Sequence, residues 1–428
     1  MISLDPVFDG QTKGFPHAAG AATLSEIGAR GWRLLAQDLP LPVAVLKASA
    51  LEANSRWMRA FLAPSGARLA PHGKTTMSPE LFARQLADGA WGLTVADARQ
   101  MRVARAAGAS RIVVGNELVA EQDLAYIAQA MAGDPGLEVF MLADSVEGVR
   151  RMSAAMAAGP AARRLSVLVE IGYRSGRAGC RDVAAALAVA RAAREAPGLA
   201  LAGVEAFEGL NQGLPAAEGA ARVSALLEDV AAAARAIDVE GLFWRDEVIL
   251  SAGGSAFFDL VVERLGEVRL SRPSFVVVRS GCYLSHDVGL YERSYAELLG
   301  RSPAARELPG RLENALEVWA YVISVPEPGR AILGAGRRDI GADAGLPKPL
   351  RHCRPARAAR GSAAPPAWEV VQLNDQHAHM VFPASDDVAV GDMIGLGPSH
   401  PCSTFDRWRL IYLVDDDYAV VSAIQTCF

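Results

Sequence analysis

Between Arg68 and Val278 the chain alternates short apolar runs with segments of helical spacing, and this alternation limits the fold most. Uninterrupted apolar runs are typical of parallel strands buried on both faces, and their alternation with helices predicts βαβ units. Eight such units over about 210 residues predict a (β/α)8 barrel of the TIM type, an α/β fold. An open doubly wound sheet is the alternative, because strand number alone does not close a barrel. The predicted strands are Arg68–Ala70, Trp91–Val95, Arg111–Val114, Glu138–Leu142, Leu165–Ile171, Leu201–Phe207, Val248–Leu250 and Ser274–Val278.

After Val278 the alternation ends, and the sequence predicts a second domain of antiparallel β structure. Short strand-like segments with Gly and Pro turns follow a polar, helix-prone segment that Pro303 interrupts. The apolar run Val43–Leu46 precedes the barrel and is assigned to the same domain. The barrel is therefore predicted over residues 48–290, and the β domain over 1–47 and 291–428. The predicted strands are Glu317–Val325, Ala331–Leu333, Trp368–Leu373, Ala378–Pro383, Asp392–Gly395, Arg409–Val414 and Tyr418–Gln425.

Charge and composition exclude several classes of protein. The formal net charge is -5, so the chain has no basic excess with which to neutralise nucleic-acid phosphates. The Arg-rich segment Arg351–Pro366 is interpreted as an exposed loop, since no aromatic residues are interleaved with its charges. Charges within the first 20 residues argue against a signal peptide, and no uncharged run reaches the ~18 residues of a membrane span. Five widely spaced cysteines do not form a disulfide framework. A cytoplasmic protein is expected.

The segment Arg68–Ser78 (RLAPHGKTTMS) places Lys74 just after the first predicted strand. A lysine amine at such a position is one way to hold an aldehyde cofactor covalently. The alternative is a solvated loop lysine, since lysines are mostly exposed. Gly73-Lys74-Thr75 resembles the end of a phosphate loop, but Arg68 stands where the first glycine of that motif is required. A nucleotide-binding loop is therefore not expected.

Glycine-rich loops follow the seventh and eighth predicted strands. The first contains Ser251, Gly253, Gly254 and Ser255, and the second is Arg279–Tyr283. Barrels commonly bind phosphate in these two loops, where backbone N–H groups converge. Each loop alone could be a plain turn, so their joint position carries the prediction.

Two further features suggest ligands for a cofactor or a metal. Arg177, after the fifth strand, could face a ring nitrogen or a carboxylate, or could simply be a surface arginine. His400-Pro401-Cys402 places imidazole and thiol two residues apart, a donor pair that favours zinc. Two ligands are too few for a structural zinc site, so such a metal would keep open positions. A loop histidine beside a buried free cysteine is the alternative.

Taken in order, these motifs resemble one family. Pro71–Thr75, Arg177–Gly179, the Gly253-Gly254 loop, Arg279–Tyr283 and His400–Cys402 are similar to the fold-type III, alanine racemase-like pyridoxal-phosphate enzymes. Within that group the chain resembles the D-serine dehydratase and D-threonine aldolase branch. The resemblance implies a barrel followed by a β domain, and a head-to-tail homodimer with sites at the subunit boundary.

The resemblance also implies residue roles. Lys74 would be the cofactor lysine, Arg177 would lie near the pyridine ring, and His400 and Cys402 would bind zinc. The resemblance associates a His-x-Cys motif with the dehydratases of this branch and a His-x-Asp motif with the aldolases. Dehydration of a D-3-hydroxy amino acid to a keto acid and ammonia is therefore expected. A metal-dependent D-threonine aldolase is the alternative, and a non-catalytic pyridoxal-phosphate-binding protein is less favoured. The other residues expected around pyridoxal 5'-phosphate are His72, Tyr173, Ser251, Gly253, Gly254, Ser255, Gly281 and Tyr283.

Overall fold

A computed structural model describes residues 2–159, 163–209, 211, 214–355 and 362–428. Eight parallel strands follow one another in chain order around a barrel, which confirms the predicted fold class. The first and second strands close it, because Trp91 N donates to Leu69 O at 2.7 Å and Thr94 N to Pro71 O at 2.9 Å. An open sheet is thereby excluded. The barrel strands are Arg68–Leu69, Leu93–Val95, Arg111–Val114, Glu138–Ala143, Leu165–Ile171, Leu199–Phe207, Val248–Gly253 and Ser274–Val278.

Helices cover the outside of the barrel, and several of them begin at a capping side chain. Ser78 and Asp97, for example, accept hydrogen bonds from backbone N–H groups in the first turn of their helices. None of the described helices combines the length and the apolar character needed to cross a bilayer. The described α-helices are Ala48–Leu62, Pro79–Ala87, Ala98–Ala106, Glu121–Gly133, Val146–Ala158, Val183–Glu195, Ala216–Val239, Phe258–Gly266, Leu290–Arg301, Pro303–Glu307 and Cys402–Phe405.

The barrel interior is filled by side chains and is not a pore. Its central layer is an apolar cluster that includes Phe140, Leu168, Ile249 and Val277. Residues i and i+2 of a strand share a face. Glu170, two residues after Leu168, is therefore directed into the same interior, one layer nearer the carboxyl end of the barrel. The carboxyl end of the barrel therefore has a polar group inside it, above the apolar layer.

The second sheet has ten strands and is antiparallel apart from one pair. Val43–Lys47 pairs antiparallel with Leu316–Glu327 and parallel with Leu410–Val414, so the N-terminal strand is part of this sheet. The remaining strands of the sheet are Arg330–Leu333, Lys348–Cys353, Ser362–Ala363, Glu369–Leu373, Ala378–Val381, Met393–Gly397 and Val420–Gln425. A separate pair is formed by Val7–Phe8 and Ala22–Thr23.

The prediction of an exposed loop over Arg351–Pro366 is wrong at both of its ends. Residues 351–353 end a strand that pairs with Met393–Gly397, and residues 362–363 add a short strand beside it. The basic residues suggested a loop, but Asp392 contacts two of them locally, with His352 Nε2 at 2.9 Å and Arg354 Nε at 2.7 Å. Residues 356–361 lie outside the described part of the chain.

Candidate active site

Lys74 lies at the carboxyl end of the barrel. The chain has only four lysines, Lys13, Lys47, Lys74 and Lys348. Lys13 and Lys47 form ion pairs with Asp339 and Asp416, and Lys348 lies on a strand of the second sheet. The exposed Lys74 is directed towards the barrel mouth, with its Nζ 6.0 Å from the centre of the Phe207 ring. It is therefore the one lysine amine placed to attack a ligand at this end of the barrel.

The loop that carries Lys74 is fixed from several directions. Gly73–Thr75 forms a 3-10 turn that is capped by His72. The Nδ1 atom of His72 accepts a hydrogen bond from Lys74 N at 3.4 Å. His72 N donates to Arg279 O at 3.1 Å, which joins the loop to the eighth strand. At Gly281 a Cβ atom would lie 2.4 Å from His72 O, so only glycine permits this approach. The loops after the first and eighth strands are thereby packed together.

A buried charged cluster lies beneath these loops, inside the barrel. The Arg279 guanidinium pairs with Glu205 and also donates to Ala206 O at 2.7 Å. Arg177 lies over the Phe207 ring at 4.5 Å, with its Nη2 3.9 Å from Glu170 Oε1. Both arginines therefore face acidic groups, Arg279 inside the barrel and the exposed Arg177 at its mouth.

The protonation states of this cluster follow from its burial. Burial, together with the charges of Lys74, Arg279 and Arg177, lowers the pKa of His72 well below its usual value. Burial and the neighbouring Glu205 raise the pKa of Glu170, and burial raises that of Glu208 to about 8. At neutral pH the site therefore offers a neutral imidazole and protonated carboxyls that can donate hydrogen bonds.

Close backbone packing shapes the loops after the seventh and eighth strands. A Cβ at Gly253 would lie 2.6 Å from Arg279 Nε, and one at Gly254 would lie 2.2 Å from Glu208 Oε1. Cys282 N donates to Ser255 Oγ at 3.3 Å, which joins the two loops. The Ser251 hydroxyl is already used, because it donates to Val277 O at 2.9 Å. Ser251 thus supports the barrel wall, while the two glycines make room for the side chains of Arg279 and Glu208.

The two predicted tyrosines lie in different places. The Tyr173 hydroxyl donates to Glu208 O at 3.3 Å and accepts from Asn211 Nδ2 at 3.1 Å, so it holds the loop after the sixth strand. The Tyr283 hydroxyl instead accepts from Gln85 Nε2 at 3.5 Å. The structure therefore directs the Tyr283 hydroxyl towards the helix Pro79–Ala87 and not towards Lys74.

His400 and Cys402 come together with a third residue, Cys282. One ligand atom from each of the three lies within 4.8 Å of the others, and the two sulfurs are 3.5 Å apart. His400 Nδ1 lies 2.6 Å from Asp343 Oδ2, which leaves Nε2 free for a metal. The Thr75 hydroxyl lies 3.4 Å from Cys282 Sγ and 3.5 Å from Cys402 Sγ. The cluster is thus adjacent to Lys74.

Hydrogen bonds within the three-residue cluster shift the pKa values of its members, and those from His400 to Cys282 and Asp343 raise the pKa of His400 to about 9 against its burial. Burial opposes a thiolate at Cys282, but hydrogen bonds from Cys402, His400 and Thr75 outweigh it and lower the pKa of Cys282 well below its usual value. The same contact raises the pKa of Cys402. A thiolate beside a second thiol and an imidazole is a donor set suited to a borderline-soft cation.

Reasoning from the sequence missed several residues of this site. Cys282 belongs to the loop Arg279–Tyr283, and a cysteine there could have suggested a partner for Cys402. Glu170 and Glu205 could have been found from the strand period, because a charged residue in a buried strand is unusual. For Asp343 we see no signal in its Gly- and Pro-rich neighbourhood.

Two family models match the chain. The model described as "Alanine racemase, N-terminal domain" matches residues 46–269. The model described as "Putative serine dehydratase domain" matches residues 315–414, which include His400 and Cys402. The first match covers the barrel strands up to the seventh, and the second covers most of the second sheet.

Similar proteins include two aldolases. A D-threonine aldolase of Arthrobacter sp. is 31% identical over 378 residues, which are 88% of this chain and 89% of the aldolase. A 3-hydroxy-D-aspartate aldolase of Paracoccus denitrificans is 27% identical over 316 residues, 72% of this chain and 75% of that protein.

Two solved structures share the fold. A D-threonine aldolase from Filomicrobium marinum superposes with a TM-score of 0.77 and 25% identity, over 92% of this chain and 97% of that chain. A D-threo-3-hydroxyaspartate dehydratase from Delftia sp. HT23 gives a TM-score of 0.70 and 23% identity, over 92% and 99% of the two chains. Both superpositions span the barrel and the second sheet.

Proposed function

This chain belongs to the alanine racemase-like, fold-type III pyridoxal-phosphate enzymes, as a lyase of the branch that contains its aldolase and dehydratase relatives, and we propose that it converts D-3-hydroxy amino acids such as D-serine to a keto acid and ammonia. The observation that carries the proposal is the contact of Thr75, the neighbour of Lys74, with the sulfurs of Cys282 and Cys402. A cofactor lysine and a metal pocket would then act on adjacent atoms of one small substrate.

The residues around Lys74 fit pyridoxal phosphate. Glu170 Oε2, Glu205 Oε1 and Arg279 Nε are buried and have no hydrogen-bond partner among the described residues. The polar groups of a bound cofactor would satisfy such atoms, which are otherwise costly to bury. We propose that backbone N–H groups of the loops that contain Gly253, Gly254 and Gly281 would hold the phosphate, with Ser255 beside them.

We assign the cofactor contacts as follows. Lys74 would hold the cofactor covalently, Arg177 would lie near its ring, and neutral His72 fixes the lysine loop. Tyr173 and Ser251 support the loops through their existing hydrogen bonds. Tyr283 contributes through its backbone, because its hydroxyl faces Gln85.

The chemistry divides between the cofactor and the chain. Pyridoxal phosphate supplies an electron sink that weakens the bonds at the substrate Cα. The Lys74 amine, when free, takes the Cα proton as the general base. The buried carboxyl of Glu170, whose pKa is raised to about 10, would remain protonated in the closed site and could donate a hydrogen bond. Departure of the β-hydroxyl then gives an enamine, whose hydrolysis yields the keto acid and ammonia.

His400 and Cys402 are proposed as metal ligands, with zinc as the metal. Imidazole and thiolate are ligands that zinc prefers, and a zinc ion supplies Lewis acidity towards a leaving hydroxyl. Solved structures of a D-threo-3-hydroxyaspartate dehydratase include a variant with one cysteine replaced by alanine, in the metal-free form, and another with a histidine two positions earlier replaced. That spacing is the spacing of His400 and Cys402.

Retro-aldol cleavage to glycine and an aldehyde is the second candidate, and the 31% identity to a D-threonine aldolase favours it. The deciding experiment incubates the holoenzyme with D- and L-serine, D-threonine and D-3-hydroxyaspartate, with and without a chelator, and measures keto acid, ammonia, glycine and aldehyde. Keto acid and ammonia from the D-isomers support dehydration. Equimolar glycine and aldehyde would refute dehydration and support the aldolase activity. A coloured protein without turnover on any substrate would indicate a non-catalytic pyridoxal-phosphate-binding protein.

A cytoplasmic homodimer completes the proposal. The cofactor lysine is exposed in the single chain, although catalysis of this kind needs a site shielded from water. A second subunit seated over the barrel mouth would provide that shield. Light scattering at micromolar concentration should give twice the mass of the chain, and a monomer that is fully active would contradict the dimer.

A further inference from the structure

The metal pocket contains one more donor than the His-x-Cys motif supplies. Cys282 comes from the loop after the eighth barrel strand and is 4% exposed. Its sulfur lies 3.5 Å from Cys402 Sγ. Two thiolates on one tetrahedral zinc, at Zn–S distances of about 2.3 Å, lie about 3.8 Å apart. The spacing of the two sulfurs is therefore close to that of a zinc site before any ion is added.

The surroundings hold these donors in place. Asp343 occupies His400 Nδ1, so Nε2 is directed to the two sulfurs. Tyr291 packs edge-on against the His400 ring at 5.9 Å. Gly281 permits the contact between the loops after the first and eighth strands, which brings Cys282 beside Thr75. Gly281 and Thr75 thus set the position of the Cys282 sulfur.

We propose that Cys282 is a third protein ligand, so that the metal centre of this enzyme is a Cys2His site with one position open to substrate. This inference rests on the proposed metal-dependent function and goes beyond it, because it names the donor set and the class of metal. Three protein ligands with one open position are typical of catalytic zinc, and Cys2His is one of the known sets.

The donor set also determines which cations bind. Two thiolates and a neutral imidazole neutralise a divalent ion and favour zinc, cobalt or cadmium. Magnesium, calcium and manganese prefer carboxylate, carbonyl and water oxygens. We therefore expect zinc or cobalt to restore a stripped enzyme, and magnesium or calcium to leave it without bound metal.

A disulfide between Cys282 and Cys402 is the competing chemistry for two neighbouring sulfurs. It would need an oxidant and a movement of the sulfurs from 3.5 Å to about 2.05 Å. The presence of His400 in the same cluster, oriented by Asp343, is not explained by a disulfide and is explained by a metal. Measurements in a phosphine reductant remove this competitor.

The test uses the pyridoxal-phosphate holoenzyme, stripped of metal and reloaded with Co²⁺ under reductant. Thiolate-to-cobalt charge transfer is compared in the wild type and in the variants Cys282→Ser, Cys402→Ser and Cys427→Ser, the last as a control outside the pocket. Each of the first two should lose about half of the band and bind zinc at least ~10-fold more weakly, a loss no smaller than that of an outer-shell partner. Cys427→Ser should match the wild type. A full cobalt band and unchanged zinc affinity in Cys282→Ser would overturn the inference.

X-ray absorption at the zinc edge of the wild type provides a test that needs no variant to fold. Two sulfur ligands per zinc are expected, and one sulfur would overturn the role of Cys282. One sulfur ligand per zinc, together with keto acid as the product, would refute the role of Cys282 but support the proposed dehydratase function. Two sulfurs together with glycine and aldehyde would keep the metal centre and refute dehydration.

Discussion

The sulfur atoms of Cys282 and Cys402 lie 3.5 Å apart, although 120 residues separate them in the chain. Cys282 follows the last barrel strand, and Cys402 begins the short helix Cys402–Phe405 of the second sheet domain. The pocket is therefore assembled only when the two sheets are packed together. Because Thr75 contacts both sulfurs, the lysine loop is the third element that meets there.

Replacement of Lys74 by alanine should abolish turnover and the visible absorbance of bound cofactor, because no other lysine reaches the barrel mouth. Borohydride reduction of the wild type followed by peptide mass spectrometry should place the cofactor label on Lys74. Lys348→Ala, at an exposed lysine of the second sheet, is the control and should retain both properties. A label on any of the other three lysines would refute the assignment.

Asp343→Asn should weaken zinc binding by roughly 10–100-fold, the range found for partners that orient a ligating histidine. The amide preserves the shape of Asp343 but removes the negative charge that faces His400 Nδ1 at 2.6 Å. Competition with a chromophoric chelator measures the affinity. Asp406→Asn, at a residue paired with Arg407 on the surface, is the matched control. Equal affinities in the wild type and in Asp343→Asn would show that Asp343 does not orient the imidazole.

Gly281→Ala should lower both the stability and the cofactor affinity, since the new Cβ would meet His72 O at 2.4 Å. Overpacking of this kind costs about 1–3 kcal/mol of unfolding free energy. Gly300→Ala is the control: this glycine lies in the helix Leu290–Arg301 with nothing within 4 Å of a Cβ, so alanine should be neutral or stabilising. Urea denaturation and titration with pyridoxal phosphate measure the two effects. A Gly281→Ala protein as stable as the wild type would mean that the two loops can move apart.

Stability of the cofactor-free enzyme should fall as the pH rises from about 5 to 8. Burial raises the pKa of Glu208 to about 8 from its ordinary value of 4.5, so the folded protein keeps a proton that the unfolded chain releases. The stabilising contribution is complete below the unfolded pKa and is lost as the pH rises through the folded pKa. The slope from this group is at most about 1.4 kcal/mol per pH unit.

Glu208→Gln should flatten this dependence, because the amide cannot ionise. Urea denaturation at pH 5, 6.5 and 8 compares the variant with the wild type and with Glu307→Gln, at an exposed glutamate. Identical slopes in all three proteins would show that Glu208 does not titrate in this window.

Local sequence patterns predicted much of the fold. The eight apolar runs were all found as barrel strands, with ends shifted by up to three residues, because a strand buried on both faces must be apolar. The strand Lys348–Cys353 was missed, since its Arg351 and His352 side chains have partners in other parts of the chain, Glu317 and Asp392. Polar strands cannot be recognised from their own composition when their charges are compensated at a distance.

The sequence by itself determined the alternation of strands and helices, the position of Lys74 after the first strand, and the donor pair of His400 and Cys402. These are local properties, set by side-chain polarity and spacing. Only the tertiary structure decided that Cys282 and Asp343 join that pair, and that Glu170, Glu205 and Glu208 are buried with raised pKa values. Such features depend on distances and desolvation between segments far apart in the chain, which no local pattern contains.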